Sequence, residues 1–280
     1  EEVVKSWYEE PIDYEKIKNR RDKYKLLISK YKTDSSSIFL FHKTTNRKLY
    51  DEELKKETYL CGIHTTEPME ADSRGPKYMV NQVRKKISRI AALDKIPVML
   101  GGEHSISSGA VEALLEKHPK MSVLQFDAHA DLRDSYQNTP YSHASVARRI
   151  ADICPLIQVG IRSMSKEDAD YLSKSKLKSY SADFALGNKN WCETISRNIK
   201  GDVYVTIDLD VFDPSIMPAT GTPEPGGLYW NHVLRLLKAV SKTCKIRGFD
   251  VVELAPLSGI VAPDFLAAKL IYRLMGYITE

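Results

Sequence analysis

The sequence predicts a three-layer α/β/α fold built on a central, mainly parallel β-sheet. Three observations lead to this fold class. From about residue 95 onward, short strand-forming runs alternate with helical patterns, which is typical of a parallel sheet with crossover helices. The chain has 280 residues, 42% of them apolar, which is enough to bury one large core. Polar clusters follow several of the strands directly, as at the ligand-binding edge of an open parallel sheet.

The predicted strands are short and apolar. They are IPVML (96–100), SVLQF (122–126), LIQVG (156–160), LKSY (177–180), VYVTI (203–207) and IRGFDVV (246–252). Between and after them, apolar residues recur at helical spacing. The predicted helices cover 105–118, 142–153, 165–174, 190–199, 230–242 and 262–278, with Ser105 as the N-cap of the first.

The first 60 residues are atypical, because they are rich in Lys and Tyr and only SIFLF (37–41) predicts a strand. We nevertheless expect one domain over residues 1–280, since a single α/β domain accounts for this length.

Composition excludes several functional classes. The net charge of +4 comes from lysines spread along the chain, so no basic patch for nucleic acid is evident. No apolar run approaches the roughly 18 residues that span a membrane. The four cysteines lie far apart without a CxxC pair, which argues against a zinc knuckle or a disulfide scaffold. We expect a cytoplasmic protein that binds neither nucleic acid nor membrane.

Four polar clusters begin where predicted strands stop. They are GGEHS (101–105), DAHAD (127–131), DLD (208–210) and ELAP (253–256). The carboxyl ends of neighbouring parallel strands form one crevice, so these clusters should converge at one edge of the sheet.

Six side chains in these clusters are of metal-binding types. They are His104, Asp127, His129, Asp131, Asp208 and Asp210. In extended backbone, side chains two residues apart project to the same side, so the DAHAD and DLD acids can each face one point. Six ligands exceed the need of one tetrahedral zinc and suit two divalent cations. Oxygen-rich mixed ligation favours a hard ion. The sequence therefore predicts a dinuclear manganese site with two Mn²⁺ per chain.

Taken together and in their order, the motifs resemble those of the ureohydrolases, the family of arginases and agmatinases. They stand as GGEHS (101–105), DAHAD (127–131), SHAS (142–145), DLDVFDP (208–214), GTPEPGG (221–227) and ELAP (253–256). The resemblance covers roughly 97–275, which we interpret as the metal-binding core. It implies the arginase/deacetylase-like form of the α/β/α fold and a homo-oligomer, either a trimer or a hexamer.

The resemblance also implies a role for each site residue. One cation would be held by His104, Asp127, Asp131 and Asp208, and the other by Asp127, His129, Asp208 and Asp210. His143 matches the family's proton-shuttle histidine, and Glu253 matches the glutamate that pairs with the substrate guanidinium. Asp131 would carry a proton to the leaving amine. Glu224 and Arg133 are candidates for contact with the rest of the substrate.

Charge favours a cationic substrate independently of the resemblance. Two divalent cations, four aspartates and one bridging hydroxide leave a net charge near −1, and Glu253 makes the site more anionic. A planar guanidinium pairs bidentately with a carboxylate, which holds its carbon above the nucleophile. We therefore expect a small cationic guanidino substrate, attacked by a metal-bridging hydroxide to release urea and an amine.

The substrate tail is interpreted as that of agmatine. TPEPGG, GIRS (160–163) and the segment 132–134 look more like agmatinases than arginases, in which small polar residues after the metal motif bind an α-carboxylate. The products would then be urea and putrescine, as in polyamine biosynthesis. Arginase activity and hydrolysis of aminopropylagmatine remain close alternatives. A zinc deacetylase-like amidohydrolase is a third, and an inactive metal-binding relative is a fourth, since segment 42–85 lacks the usual agmatinase pattern.

Overall fold

Two short antiparallel sheets precede the main sheet. The protein is represented by a computed structural model that describes the backbone of residues 27–28 and 39–40 and, in full, residues 50–71 and 73–280. Strand β1 (Leu27–Ile28) pairs with β2 (Phe39–Leu40), and β3 (Tyr50–Asp51) pairs with β4 (Lys56–Glu57). The strand predicted at 37–41 is confirmed at 39–40, and its other residues lie outside the described ones.

The central sheet has six strands, all parallel. They are β5 (Val98–Leu100), β6 (Ser122–Phe126), β7 (Leu156–Ile161), β8 (Lys178–Ser181), β9 (Gly201–Asp208) and β10 (Cys244–Val252). Their spatial order is β5-β10-β9-β6-β7-β8, so all six predicted strands are confirmed. The four strands followed by polar clusters, β5, β10, β9 and β6, are contiguous. Their carboxyl ends therefore meet at one edge.

Helices follow most strands. They are α1 (Pro76–Ala92), α2 (Ser107–Lys117), α3 (Val146–Ala151), α4 (Lys166–Lys174), α5 (Ala182–Gly187), α6 (Trp191–Ser196), α7 (Trp230–Thr243) and α8 (Ala262–Ile278). The six predicted helices are confirmed, and α1 and α5 are additional. In the described part of the chain, no helix combines the length and apolar character needed to cross a membrane.

The start of α2 differs from the prediction. Ser105 is not its N-cap, because a single 3₁₀ turn (His104–Ile106) comes first and α2 begins at Ser107. Glu103 caps that turn by accepting the backbone N–H of Ser105. The Glu103 carboxylate thus satisfies the Ser105 N–H group at the start of the turn, and it lies beside His104, a predicted metal ligand.

Alternate strand residues pack against opposite helical layers. On β6, Val123 joins a cluster with Val83 of α1 and Ala110 of α2, whereas Leu124 and Phe126 join the cluster formed with α5 to α8. This period of two is the expected geometry of a strand buried on both faces. The three-layer α/β/α fold is confirmed.

A buried ion pair joins strand β3 to the last helix. Arg273 of α8 is 6% exposed and donates to Asp51 of β3, which is 5% exposed. The same guanidinium donates to Glu53, which also accepts from the Tyr277 hydroxyl at 2.8 Å. These ion pairs hold together two segments that are more than 200 residues apart in the sequence.

We expect Asp51→Ala to lower the free energy of unfolding by about 3 kcal/mol, because it leaves a buried guanidinium with only one of its two carboxylates. Glu52→Ala is the matched control, since Glu52 is exposed and, among the described residues, forms its ion pair with Lys55 on the surface. Chemical denaturation of both variants measures the difference. Equal stability of the two variants would show that the buried pair contributes nothing.

Candidate metal centre

The first group of predicted ligands surrounds one ring nitrogen of His104. The Nδ1 atom lies 3.2 Å from Asp127 Oδ2, 3.3 Å from Asp208 Oδ2 and 3.6 Å from Asp131 Oδ2. His104 follows β5, Asp127 follows β6 and Asp208 ends β9. The contiguous strands therefore bring together residues from three separate sequence motifs.

The second group forms around His129. Its Nδ1 atom lies 2.9 Å from Asp210 Oδ2 and 3.7 Å from Asp127 Oδ1. Among the described residues, two sets of possible metal ligands have all their ligand atoms within 4.8 Å of one another. One is His104, Asp127 and Asp208, and the other is Asp127, His129 and Asp210. Asp127 is common to both sets, whereas Asp208 belongs only to the first.

Asp131 lies beside the first set and belongs to neither set as defined by that distance. Its backbone is in the left-handed region, with φ of 53°. Glu253 shares this conformation, with φ of 63°. Residues other than glycine adopt it rarely, and such positions cluster at functional sites.

His104 provides a test of whether a cation fits here. The residue is fully buried, yet its Nδ1 atom has no hydrogen-bond partner among the described residues. Leaving a buried nitrogen unsatisfied costs about 1–3 kcal/mol. A divalent cation held by His104 and the carboxylates of Asp127 and Asp208 would satisfy the nitrogen and compensate the acids. The residues present fit a metal centre.

Ionisation of the clustered aspartates is unfavourable in the absence of a cation. Burial and repulsion from neighbouring carboxylates raise the pKa of Asp127, Asp131 and Asp208. Burial acts in the same direction on Asp210, but hydrogen bonds from His129 and from the Ala128 backbone hold its pKa below the usual value. Crowded, desolvated carboxylates of this kind are stabilised by a bound cation.

Metal-free protein should lose stability as pH rises, and Mn²⁺ should restore it. Burial raises the pKa of Glu253 from 4.5 to about 7. A raised pKa means that the folded form keeps a proton that the unfolded chain has already released, so stability falls as pH rises through the window from 4.5 to about 7. The raised pKa values of Asp131 and Asp208 act with the same sign, and the lowered value of Asp210 acts below this window.

Thermal unfolding across that window, with and without Mn²⁺, measures both effects. Cations compete with protons for the carboxylate oxygens of Asp131 and Asp208, so the increase in Tm on adding Mn²⁺ should grow with pH. A metal-free Tm that rises with pH would contradict the expected linkage.

His143 is held by Glu103, a residue that the sequence analysis did not select. The carboxylate accepts the backbone N–H of His143 and lies 3.2 Å from its Nδ1. This hydrogen bond raises the pKa of His143, although burial opposes it. The ring is half exposed and meets the edge of Tyr136 at 5.6 Å between centroids. A histidine placed in this way can exchange protons with solvent.

Glu253 lies at the end of β10, facing the start of the His104 turn. Its Oε1 accepts the backbone N–H of His104 at 2.6 Å, and its own N–H donates to Gly102 at 2.8 Å. The other carboxylate oxygen, Oε2, has no hydrogen bond within the described part of the chain. Glu253 is therefore fixed in place with an acceptor to spare for a ligand.

Glu224 and Arg133 occupy different parts of the rim. Glu224 Oε1 lies 3.9 Å from His129 Nε2, which places it next to the second ligand set. The Arg133 guanidinium lies 5.0 Å from the centroid of the Tyr136 ring. The structure thus places Glu224 beside His129, whereas Arg133 contacts an aromatic ring that borders His143.

Arg162 ties two site loops together. Its guanidinium donates to the backbone carbonyl of Asp210 at 2.7 Å and to that of Glu224 at 2.8 Å. Gly160 lies in strand β7, two residues before Arg162. Its φ is +98°, and a Cβ there would come within 2.6 Å of Val211 Cγ2. The motif GIRS therefore serves close packing and loop anchoring.

Polar residues inside the strands also support the predicted metal ligands, either by direct contact or through a second polar residue. Gln125 Nε2 donates to Asp127 Oδ2 at 2.7 Å, and Gln158 Nε2 donates to Gln125 Oε1 at 3.1 Å. Thr206 Oγ1 lies 2.9 Å from His104 Nε2. The signal for these residues was present in the sequence, since each is a polar residue within an otherwise apolar strand.

Comparison with known proteins gives consistent matches. A family model described as the arginase family matches residues 41–276. The N(1)-aminopropylagmatine ureohydrolase of Synechocystis sp. is 37% identical over 239 residues, which cover 82% of this chain and 78% of that protein. The agmatinase of Bacillus cereus is 34% identical over 71% of this chain and 70% of its own length. The agmatine ureohydrolase structure from Thermoplasma volcanium superimposes with a TM-score of 0.76 at 34% identity, covering 84% and 79% of the two chains.

Proposed function

This chain belongs to the arginase family of ureohydrolases, and on that premise we propose that it is a dinuclear manganese hydrolase that converts agmatine to putrescine and urea. The observation that carries the proposal is the pair of ligand sets that share Asp127, with an unsatisfied His104 Nδ1 facing the carboxylates. Carboxylate and imidazole ligands suit Mn²⁺, and the described cysteines are all free and lie outside both sets.

In the proposed site, His104, Asp127, Asp131 and Asp208 hold one cation, and Asp127, His129, Asp208 and Asp210 hold the other. Bound there, the cations would supply hydroxide at neutral pH, which the weakly electrophilic guanidinium carbon requires. The protein's own contribution is to bind the guanidinium through Glu253, orient it and supply protons.

Proton transfer is assigned to two further groups. Asp131 would carry a proton to the departing amine, because its carboxylate lies at the centre, with Oδ2 3.6 Å from His104 Nδ1. His143 exchanges a proton with solvent, since it is half exposed and held by Glu103. This division of roles follows from exposure, which differs sharply between the two side chains.

The tail of the substrate is proposed to be an amine. Glu224, with 38% of its side chain exposed, offers a carboxylate at the rim next to His129. A primary ammonium is attracted to that carboxylate, whereas the α-carboxylate of arginine is repelled by it. Arg133 contacts Tyr136, the ring that borders His143, and is the other candidate for contact with the substrate tail.

N(1)-aminopropylagmatine is the second candidate substrate. It is favoured by the name of the Synechocystis relative, which matches 82% of this chain. Its extended tail carries more positive charge than that of agmatine, so the same anionic rim suits both compounds.

Urea release from agmatine, aminopropylagmatine and arginine, with and without Mn²⁺, tests the proposal. We expect Mn²⁺-dependent turnover with the highest kcat/KM for agmatine. Higher kcat/KM for aminopropylagmatine would assign the enzyme to the second substrate, and higher kcat/KM for arginine would contradict the amine tail. Metal analysis of the same sample should give two cations per chain. One zinc ion per chain would favour a deacetylase-like site, and no urea from any compound would favour an inactive relative.

Arg162→Lys should raise KM for agmatine by about tenfold, with a smaller change in kcat. A lysine cannot reproduce the planar set of donors that anchors the Asp210 and Glu224 backbones, and one hydrogen bond to a charged group contributes about 1.5–3 kcal/mol. Tail binding is the same in ground and transition states, so KM carries the effect.

Arg247→Lys is the control for Arg162→Lys. Arg247 donates to Asp202 near the amino ends of β9 and β10, away from the metal centre. Steady-state kinetics of both variants should therefore differ. A KM unchanged in Arg162→Lys would show that the loop does not depend on this anchor.

We also propose that the protein works in the cytoplasm as a homo-oligomer. The four free cysteines support a reducing compartment, and the family resemblance supports a trimer or hexamer. Light scattering coupled to size-exclusion chromatography measures the oligomeric state.

A further inference from the structure

A buried chain of hydrogen bonds leads from His104 into the centre of the sheet. His104 Nε2 lies 2.9 Å from Thr206 Oγ1, and Thr206 donates its hydroxyl proton to Asp250 Oδ1 at 2.6 Å. Asp250 Oδ2 accepts from the Tyr204 hydroxyl at 2.7 Å. Thr206 and Asp250 are direct partners in the register of β9 and β10. We call Tyr204, Thr206 and Asp250 the relay.

The relay fixes the positions of its protons. An ionised carboxylate only accepts hydrogen bonds, so Asp250 accepts one hydrogen bond from the Thr206 hydroxyl and one from the Tyr204 hydroxyl. Because the single O–H of Thr206 is then used as a donor to Asp250, the Thr206 oxygen can only accept a hydrogen bond from His104. Nε2 must therefore carry the hydrogen of the imidazole, and Nδ1 keeps its lone pair. That lone pair faces Asp127 and Asp208.

Burial of the relay's polar groups lowers the free energy of unfolding, so we expect the relay to have a function. Asp250 and Thr206 are fully buried and Tyr204 is 1% exposed. Asp250 forms no ion pair with Lys or Arg among the described residues. A desolvated carboxylate held by the hydroxyls of Thr206, Tyr204 and Ser107 is costly, and a hydrophobic residue would stabilise the sheet more simply. Setting the tautomer of a ligand histidine is a function that hydrophobic residues cannot provide.

We propose that Tyr204, Thr206 and Asp250 are positioning residues that hold His104 as its Nε2–H tautomer, so that Nδ1 is always available to a divalent cation. The proposal rests on the proposed function in one respect, namely that a cation binds at His104. It adds that the interior of the sheet, and not only the crevice, determines metal affinity, through one hydrogen bond behind the ligand.

Mn²⁺ titration of the metal-free full-length chain, followed by calorimetry and metal analysis, tests the relay. Thr206→Val removes the hydroxyl at nearly constant volume and should weaken binding at the His104 set by about 10- to 100-fold. The His129 set should keep its affinity, so at limiting Mn²⁺ the stoichiometry falls from two towards one. Thr206→Ser retains the hydroxyl and should bind Mn²⁺ as the unmodified chain does.

Asp250→Asn provides a second, independent variant. The amide group can donate to Thr206, which then donates to Nε2 and places the imidazole proton on Nδ1, where it blocks the cation. The same loss of affinity is expected. If Thr206→Val does not fold, as judged by circular dichroism, Asp250→Asn decides the question with Tyr204→Phe, for which a smaller loss is expected.

A double-mutant cycle distinguishes positioning from general damage. In a His104→Ala background, Thr206→Val should change the remaining Mn²⁺ affinity less than twofold, because the relay acts only through His104. Thr58→Val is the matched control, since Thr58 is also buried and its hydroxyl has no hydrogen-bond partner among the described residues.

The failures of the two proposals have different signatures. An unmodified chain that binds fewer than two Mn²⁺ and releases no urea would contradict the proposed function. An unmodified chain that binds two Mn²⁺, with equal affinity in Thr206→Val and Asp250→Asn, would overturn the relay alone. So would an effect of Thr206→Val that persists without His104.

Discussion

Asp127→Asn is expected to abolish the metal centre and to lower kcat by about 10³-fold or more. Asp127 is the residue common to both ligand sets, with Oδ2 3.2 Å from His104 and Oδ1 3.7 Å from His129. An amide keeps the volume but loses the charge, so both proposed cations would lose a carboxylate at once. Cation chemistry supplies several kcal/mol of transition-state stabilisation, and about 1.4 kcal/mol corresponds to a tenfold change in rate.

Metal analysis and urea release measure the two consequences together. Asp168→Asn is the matched control, because Asp168 is a buried aspartate that accepts the Leu132 and Ser165 backbone N–H groups outside both ligand sets. It should cost stability and retain two cations. An Asp127→Asn protein with two Mn²⁺ and normal turnover would contradict the dinuclear site.

Glu253→Gln is expected to lower kcat/KM for agmatine by roughly 10²- to 10³-fold while leaving metal content unchanged. The substitution removes the charge that we propose pairs with the guanidinium, but the glutamine side chain can still accept the His104 backbone N–H, which Oε1 accepts at 2.6 Å. Removing one partner of a desolvated charge pair costs about 2–5 kcal/mol. The loss should appear in kcat as well as in KM, because the pair orients the reacting carbon.

Steady-state kinetics across guanidino compounds checks this result. Glu193→Gln on α6 is the control, since Glu193 is exposed and lies outside both ligand sets. If Glu253→Gln lost its cations, the residue would act on the metal centre, and the assignment to substrate binding would be wrong.

Much of the sheet could be predicted because its signal is local. SVLQF and VYVTI are β-rich runs, and the acids that follow them mark the strand ends in the sequence itself. Parallel topology then places His104, Asp127 and Asp208 together without knowledge of any distance. Helix α1 was missed although Val80, Val83 and Ile87 have helical spacing, because the basic residues between them obscure the apolar face.

What could not be predicted depends on pairing between distant segments. The contact between Asp51 and Arg273 spans more than 200 residues, and neither residue has a local signal that identifies its partner. The same holds for Glu103, whose partner His143 lies 40 residues away. The relay is intermediate, since Thr206 and Asp250 are conspicuous polar residues in apolar strands, but their link to His104 requires the register of β9 and β10.

The left-handed backbone at Asp131 and Glu253 has an evolutionary consequence. Each such residue costs of order 1–3 kcal/mol, which glycine at the same position would largely recover. Selection for heat tolerance alone should therefore favour replacements at the very positions proposed to handle the proton and the guanidinium. Variants obtained from such a screen would gain in melting temperature as they lose turnover, and a thermophilic optimum would have to be reached through other parts of the protein.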